Sequence, residues 1–208
     1  MKIIDISWPI TKASTTYKNT NNISLEKTKL FEKNFVRESQ INISSHTGTH
    51  VDSPAHFLKN GNTTEKINLE SLIGPCSVFD LMHISEKITD DDIQKLSIKQ
   101  NSIILLKTKN SLLGTEENFN PNFIYLDKSG AQFLADKKIK SVGFDYLGIE
   151  RNQPNHETHK LLLLNNVLII EGLRLQHVEP GDYELCCLPL HVVGLEAALA
   201  RAVLIQRG

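Results

Sequence analysis

A single α/β domain is the fold this sequence predicts, and three observations carry that expectation. The run Ile103-Ile104-Leu105-Leu106 is continuously apolar between polar flanks, which suits a strand buried on both faces. Helical and strand patterns then alternate: Leu126 to Lys137 precedes Ser141 to Asp145, and His156 to Leu164 precedes Val167 to Glu171. The chain has 208 residues, enough for one good core and few for two, and no repeat or Gly-, Pro- or Ser-rich linker divides residues 1–208.

Taken in order, Ile3 to Trp8 alternates apolar and polar residues and reads as a strand that Pro9 ends. Residues 11–22 are rich in Thr, Ser, Lys and Asn, with little apolar except Tyr17, and read as a loop. Phe35 to Ile43 alternates again, a strand leading into a group of histidines. Asn60-Gly61-Asn62 is a turn, Leu69 to Ile73 a short helical piece, and Ser77 to Leu81 a strand. Thr89 is placed to N-cap a helix from Asp90 to Leu96, whose first turn holds three acids where the helix dipole favours them. Asn110 to Asn122 lacks periodicity and reads as a long surface loop. Leu126 to Lys137 gathers Ala131, Phe133 and Leu134 on one side, as an amphipathic helix does. Strands over Tyr183 to Leu188 and Ala202 to Ile205 close the chain.

Composition removes several function classes. With 23 Lys+Arg against 24 Asp+Glu the formal net charge is -1, and the basic residues are scattered, which argues against nucleic acid as a partner. No apolar run approaches the roughly 18 residues of a membrane helix, and Asp5 interrupts the start where a signal peptide needs an apolar core, so a cytoplasmic protein is expected. Cys76, Cys186 and Cys187 are an odd count in apolar surroundings and read as reduced core residues.

The chemistry concentrates in Ser45-His46-Thr47-Gly48-Thr49-His50-Val51-Asp52-Ser53-Pro54-Ala55-His56-Phe57, which places three imidazoles and a carboxylate within eleven positions. Two β-branched residues, a Gly and a Pro argue against a helix there, and in an extended segment His46, His50 and Asp52 face one way. Two neutral imidazoles and a carboxylate suit Zn(II), Mn(II) or Fe(II) better than Mg(II) or Ca(II). The competing reading is that these histidines are loop or core residues held by hydrogen bonds, and that Asp52 caps a helix at Ser53-Pro54-Ala55. Glu171 ends the apolar run Val167 to Ile170, where a carboxylate at the end of a buried strand needs a partner, a cation or water. His156 and His159 both precede Leu161 to Leu164, and spacing alone does not choose between them.

The segment His46-Thr-Gly-Thr-His50-Val-Asp52-Ser-Pro54-Ala-His56-Phe57 resembles the signature His-x-Gly-Thr-His-x-Asp-x-Pro-x-His-Phe of the cyclase family, which includes bacterial kynurenine formamidase and isatin hydrolase, and it matches at every fixed position. Further similarity runs from Asp5-Ile6-Ser7 through Gly143-Phe144-Asp145 to Pro189-Leu190. The resemblance implies a swivelling β/β/α fold and a hydrolase of amide or lactam C–N bonds with two divalent metal ions, Zn(II) first and Mn(II) second. It implies that His46, His50 and Asp52 hold one ion, with Asp52 bridging to another, and that His159 and Glu171, twelve residues apart, complete the ligands. His56 is the proton donor and acceptor by that likeness, the alternative being a further ligand. Tyr17 takes the place of the Trp that faces the aromatic substrate in kynurenine formamidases, and Lys18-Asn19 replaces the Pro-Gly that follows it.

The expected activity is therefore that of an arylformamidase on N-formylkynurenine, with an isatin-like lactam or other cyclic amide as the alternative substrate and a non-catalytic metal-binding protein as the alternative class. A homodimer or higher homo-oligomer is expected. Asp145 has two readings, as a support for a ligand histidine or as a local structural acceptor. Arg174 and His177 lie beyond Glu171 and are left without a role.

Overall fold

The computed structural model describes residues 1–20 and 23–207. Its twelve described strands are β1 (Lys2–Asp5), β2 (Ser24–Lys29), β3 (Glu38–Asn42), β4 (His50–Asp52), β5 (Ile73–Asp80), β6 (Lys87–Ile88), β7 (Ile103–Lys107), β8 (Tyr125–Leu126), β9 (Ser141–Phe144), β10 (Leu168–Glu171), β11 (Gly181–Pro189) and β12 (Ala197–Gln206). The α-helices are α1 (Phe31–Asn34), α2 (Asp90–Ile93), α3 (Lys128–Asp136) and α4 (Glu157–Leu164). One mixed sheet has the order β1-β12-β11-β5-β7-β9-β10-β4, and β4 pairs back onto β12, so seven strands close on themselves with β1 as an added edge. The parallel pairs β5–β7, β7–β9 and β9–β10 hold the centre. The α/β expectation stands.

Alternation along these strands divides the core in two. Ile103 and Leu105 point into the closed sheet with Val51, Ile170, Leu185 and Leu204, while Ile104 and Leu106 point outward with Val142, Phe144 and Ile169. The outward face packs under Ala131 and Leu134 of α3 and Leu162 and Leu163 of α4. All five residues of β7 are buried, which explains its unbroken apolar run.

Several local expectations change. The strand expected over Phe35 to Ile43 begins only at Glu38, because Phe35 adopts φ 53 and ends α1. That strand does not support the histidines: β2 and β3 form a separate two-stranded ribbon, with β3 exposed along its length and Phe35 83% exposed. The loop of 11–22 contains a 3-10 turn at Tyr17–Asn19, and its last two residues lie outside the described ones. The piece at 69–73 is a 3-10 turn, Leu69–Ser71, capped by the Asn68 side chain, with Ile73 already in β5. α2 stops at Ile93 because the Leu96 N–H bonds to the Ile93 carbonyl in a tighter turn, although Thr89 does precede it and the Asp92 carboxylate accepts the Thr89 N–H as expected of a capped start.

Residues 110–122 are not simply a surface loop, since Asn110 and Ser111 are buried in a 3-10 turn and Phe119 joins the core. Asp145 causes this: its fully buried carboxylate accepts from the backbone and hydroxyl of both Thr108 and Ser111 at 2.7–3.2 Å. Asp145 is therefore a structural acceptor, and no described contact ties it to a histidine. Burial pushes its pKa up to about 6 against the pull of these four donors. β12 runs from Ala197 instead of Ala202, because its first residues pair with β4 in a register that Ala-rich sequence does not advertise. Cys76 and Cys187 are buried and unbridged as expected, but Cys186 is only half-buried.

The strand end after Glu171 rests on Gly172, which has φ +69. A Cβ there would fall 2.1 Å from the Gly48 carbonyl oxygen, and the Gly172 carbonyl accepts the Thr49 hydroxyl at 2.6 Å. Gly172→Ala should therefore cost roughly 2–4 kcal/mol through backbone strain and displacement of the Gly48 turn. Urea unfolding of the variant checks this; a midpoint equal to that of the parent protein contradicts it.

Candidate metal centre and pocket

β4 is only three residues long, yet it is fully buried because it lies between β10 and β12. Antiparallel register sets His50 directly opposite Glu171 and Asp52 opposite Ile169. Val51 points into the inner core, so His50 and Asp52 share the other face, as the alternation predicts. His46 reaches the same place differently: it sits in a turn before the strand, and Gly48 at φ +60 swings the chain back.

The resulting cluster is dense. His50 Nε2 lies 3.6 Å from Asp52 Oδ1 and 3.4 Å from Glu171 Oε2. His46 Nδ1 lies 3.3 Å from Asp52 Oδ1, and His159 Nε2 lies 3.2 Å from Glu171 Oε1 and 3.7 Å from Asp52 Oδ2. The His50 Nδ1–H donates to the Gly48 carbonyl at 2.9 Å, which assigns the proton to Nδ1 and turns Nε2 toward the carboxylates. The expected site residues His46, His50, Asp52, His159 and Glu171 are thus brought together. His56 joins them, its ring 4.3 Å from that of His46 and 5.8 Å from that of His159.

Two overlapping triplets have the spacing of metal ligands: His50, Asp52 and Glu171, and His46, Asp52 and His56. Asp52 belongs to both, as a bridging carboxylate would. Both Asp52 oxygens and His50 Nε2 are buried without a hydrogen-bond partner among the described residues, and N/O donors of this kind fit a divalent transition ion or Zn(II). Asp52 does not cap the 3-10 turn Pro54–His56; Ser53 stands at that position and its side chain makes no cap bond.

Burial and the opposed charges of the cluster act on every group in it. Burial works against the charged His50, but Glu171 and Asp52 outweigh it and raise its pKa to about 9. Burial likewise opposes the charged His159, while Glu150 and Glu171 raise it to about 10. Burial and the neighbouring Glu171 push Asp52 upward, yet the imidazoles hold it below its usual range, and His159 and His50 overcome burial to depress Glu171 well below its own. His56 differs: burial lowers its pKa, and its Asp52 neighbour does not restore it, so it is neutral at pH 7.

A cavity of about 400 Å³ opens onto the cluster, with Tyr17, His46, His56, Phe57, His159 and Glu171 on its walls. Tyr17 lines it as expected, its ring held edge-on by Phe119 at 4.9 Å. His156 is exposed at the start of α4, yet it lines the cavity and its Nδ1 lies 2.5 Å from Glu150 Oε1. Arg174 stands over the Trp8 ring and donates to the Ser111 and Leu113 carbonyls, and His177 contacts the Asp5 carbonyl, so neither reaches the cluster. Sequence reasoning missed Glu150 and Glu196. Glu150 faces His159 Nδ1 at 3.0 Å, and Glu196 faces His46 Nε2 at 3.2 Å. The available signal for Glu150 was an acid closing the apolar stretch Tyr146 to Ile149, the same kind of signal that singled out Glu171.

The Cyclase family model matches residues 4–151, well over half the chain. The protein belongs to the Cyclase family. A kynurenine formamidase of Salinibacter ruber (strain DSM 13855 / M31) is 30% identical to this Cyclase-family chain over 207 residues, covering 98% of the chain and 97% of the relative. A solved structure named as a potential metal-dependent hydrolase with cyclase activity is 42% identical with a TM-score of 0.88, covering 100% of this chain and 98% of that one. An isatin hydrolase bound to thioisatinate shares the fold, with a TM-score of 0.89 at 19% identity over 99% of this chain and 93% of that one. Among the described residues no helix is long and apolar enough to cross a membrane.

The raised pKa values give this Cyclase-family site a proton signature. At pH 7 the metal-free protein holds His50 and His159 protonated, and an ion must displace those protons to reach the ring nitrogens. Zn(II) uptake at pH 7 should release about two protons per chain, and affinity should rise with pH until it passes about 10, the His159 value. Calorimetry in buffers of different ionisation enthalpy measures the release; uptake without protons contradicts the arrangement.

Proposed function

We propose that the chain is a metal-dependent hydrolase of amide C–N bonds, with N-formylkynurenine as its first substrate. The observation that carries this reading is the buried His50–Asp52–Glu171 cluster, with its orphaned polar atoms, open on one side to a cavity that holds a neutral His56. His46, His50, Asp52, His159 and Glu171 would hold two divalent ions, Zn(II) first and Mn(II) second, with Asp52 shared between them. Bound there, such ions supply Lewis-acid polarisation of an acyl oxygen and lower the pKa of water toward about 7. A closed structural site usually has four ligands and often Cys, whereas no described cysteine lies at this cavity.

The chain's own residues supply the rest. Neutral His56 accepts the proton that leaves the attacking water, and then delivers it to the departing nitrogen; formate and the free amine are the products of a formamide. Tyr17 lines the cavity where its ring would meet an aromatic substrate, and Phe57 forms the wall beside His56, ring centroids 4.1 Å apart. A ring in place of the larger indole offers less area, which favours a weaker hold on the arylamine. The relationship to a kynurenine formamidase across nearly the whole chain supports the substrate, and the fold shared with isatin hydrolase keeps a lactam as the second candidate.

The assay follows kynurenine release by the Zn(II)- or Mn(II)-loaded protein. Turnover that chelation abolishes is expected, together with a lower Tm on chelation, since ions bound only by the native state stabilise it by mass action. Full metal loading with no turnover of N-formylkynurenine, alongside cleavage of a lactam, would replace the formamidase reading with the lactam one.

Two substitutions separate proton carrier from ligand. His50→Ala should lose metal and activity together, whereas His56→Ala should keep its metal and slow turnover by roughly 10²–10⁴-fold, less on an activated anilide than on an alkyl amide. A metal-depleted His56→Ala assigns His56 to the ligands instead, a role its triplet with His46 and Asp52 makes geometrically available. Tyr17→Ala should raise KM for an aromatic formamide by roughly 2–10-fold with kcat nearly unchanged. An unaltered KM removes Tyr17 from the substrate's contacts.

A further inference from the structure

We infer that Glu150 is the positioning residue of the metal centre: it fixes the ring of His159 so that Nε2 faces the carboxylates, and it anchors that ring to His156 at the pocket wall. The inference rests on the metal-centre reading proposed above. Glu150 is buried, 5% exposed, on the far side of His159 from Asp52 and Glu171. Its Oε2 accepts the His159 backbone N–H at 3.1 Å and lies 3.0 Å from His159 Nδ1, close although off the line of a well-aligned N–H bond. Its Oε1 meets His156 Nδ1 at 2.5 Å. Each oxygen is therefore engaged, and the carboxylate has no freedom to turn.

The imidazole of His159 stands between carboxylates on both of its nitrogens. A negative charge behind Nδ1 keeps a proton there, so the proton that a metal ion would displace is the one on Nε2, which faces Glu171 Oε1 and Asp52 Oδ2, and the tautomer left is the one a metal ligand needs. A carboxylate in that place also makes the ring a more basic ligand. Glu150 itself falls outside both ligand triplets, so it supports the ring without joining the first coordination sphere.

The rest of the neighbourhood is built around this contact. Phe57 packs against both imidazoles that share the carboxylate, with ring centroids 4.6 Å from His156 and 4.5 Å from His159. His156 adopts φ 55 immediately before α4, a left-handed conformation that bulky residues avoid unless something holds them there. The exposed His156 ring, with 58% of its side chain open to solvent, thereby connects the pocket rim to a ligand at the bottom.

The test uses the full chain with Zn(II) or Co(II) as the probe and does not depend on any substrate. Zn(II) affinity is measured by competition with a chromophoric chelator, and the visible absorption of the Co(II)-loaded protein reports the ligand field. Glu150→Gln keeps the shape of the side chain but can turn its amide N–H toward Nδ1, which moves the His159 proton to Nε2. The expected result is a loss of roughly 10–100-fold in affinity for one ion and an altered Co(II) spectrum. Glu150→Asp, which keeps the charge and hence the tautomer, should recover most of the affinity and the parental spectrum. Glu150→Gln with parental affinity and spectrum overturns the inference, as does Glu150→Asp binding no better than Glu150→Gln. Should the Gln variant not fold, the Asp variant is compared with Glu150→Ala, and equal affinity of these two overturns it. A parent protein that binds neither ion overturns the metal reading itself, a result distinct from any behaviour of the variants.

Discussion

Two carboxylates held almost wholly out of water, Asp52 and Glu171, set the terms for the whole structure. Each is buried, each comes from a strand of the closed sheet, and they lie near enough for each to disfavour the other's charge. Alone, such a pair would give up its charge by taking protons. His50 and His159 offset that tendency, since the carboxylates raise the pKa of these imidazoles to about 9 and about 10 against burial. The site is prepared for positive charge whatever carries it.

Such a cluster demands a scaffold that places charge at a strand end without opening the core. Closure of the sheet does this: β4 is too short to be stable as an edge, yet pairing with both β10 and β12 buries it. Val51 contributes its side chain to the inner core while its neighbours present His50 and Asp52 to the cavity. The backbone at Gly48 and Gly172 approaches too closely for a side chain, and the Thr49 hydroxyl bonds across that approach to the Gly172 carbonyl. Apolar burial fixes the strand, and the strand fixes the ligands.

His56 stands apart from the other imidazoles for a physical reason. His50 and His159 each have a carboxylate within 3.4 Å, and this overcomes the cost of burying their charge. No such contact offsets burial at His56, and the nearby His46 and His159 charges work in the same direction as burial. One histidine is thus left neutral beside the charged His50 and His159. Differences in environment of this sort let chemically identical side chains take different tasks.

Much of this was legible in the sequence, and the illegible part has a common cause. Strict alternation in His50-Val51-Asp52 predicts two polar groups on one face, and continuous apolar runs predict the buried strands β7 and β10, because these are local properties of an extended chain. The signature residues and the acid ending β10 mark the site from sequence alone. Local pattern does not say which strand lies beside which. Only the tertiary structure sets Glu171 opposite His50, extends β12 back to Ala197 to close the sheet, and detaches β3 from the histidines it precedes. His46 reaches Asp52 through a left-handed glycine turn instead of through strand alternation, and Glu150 reaches His159, nine positions on, across irregular chain and a helix start. Sequence determined which groups have the chemistry; non-local pairing and backbone turns decided which of them meet, since register between distant strands is chosen by packing that no local window contains.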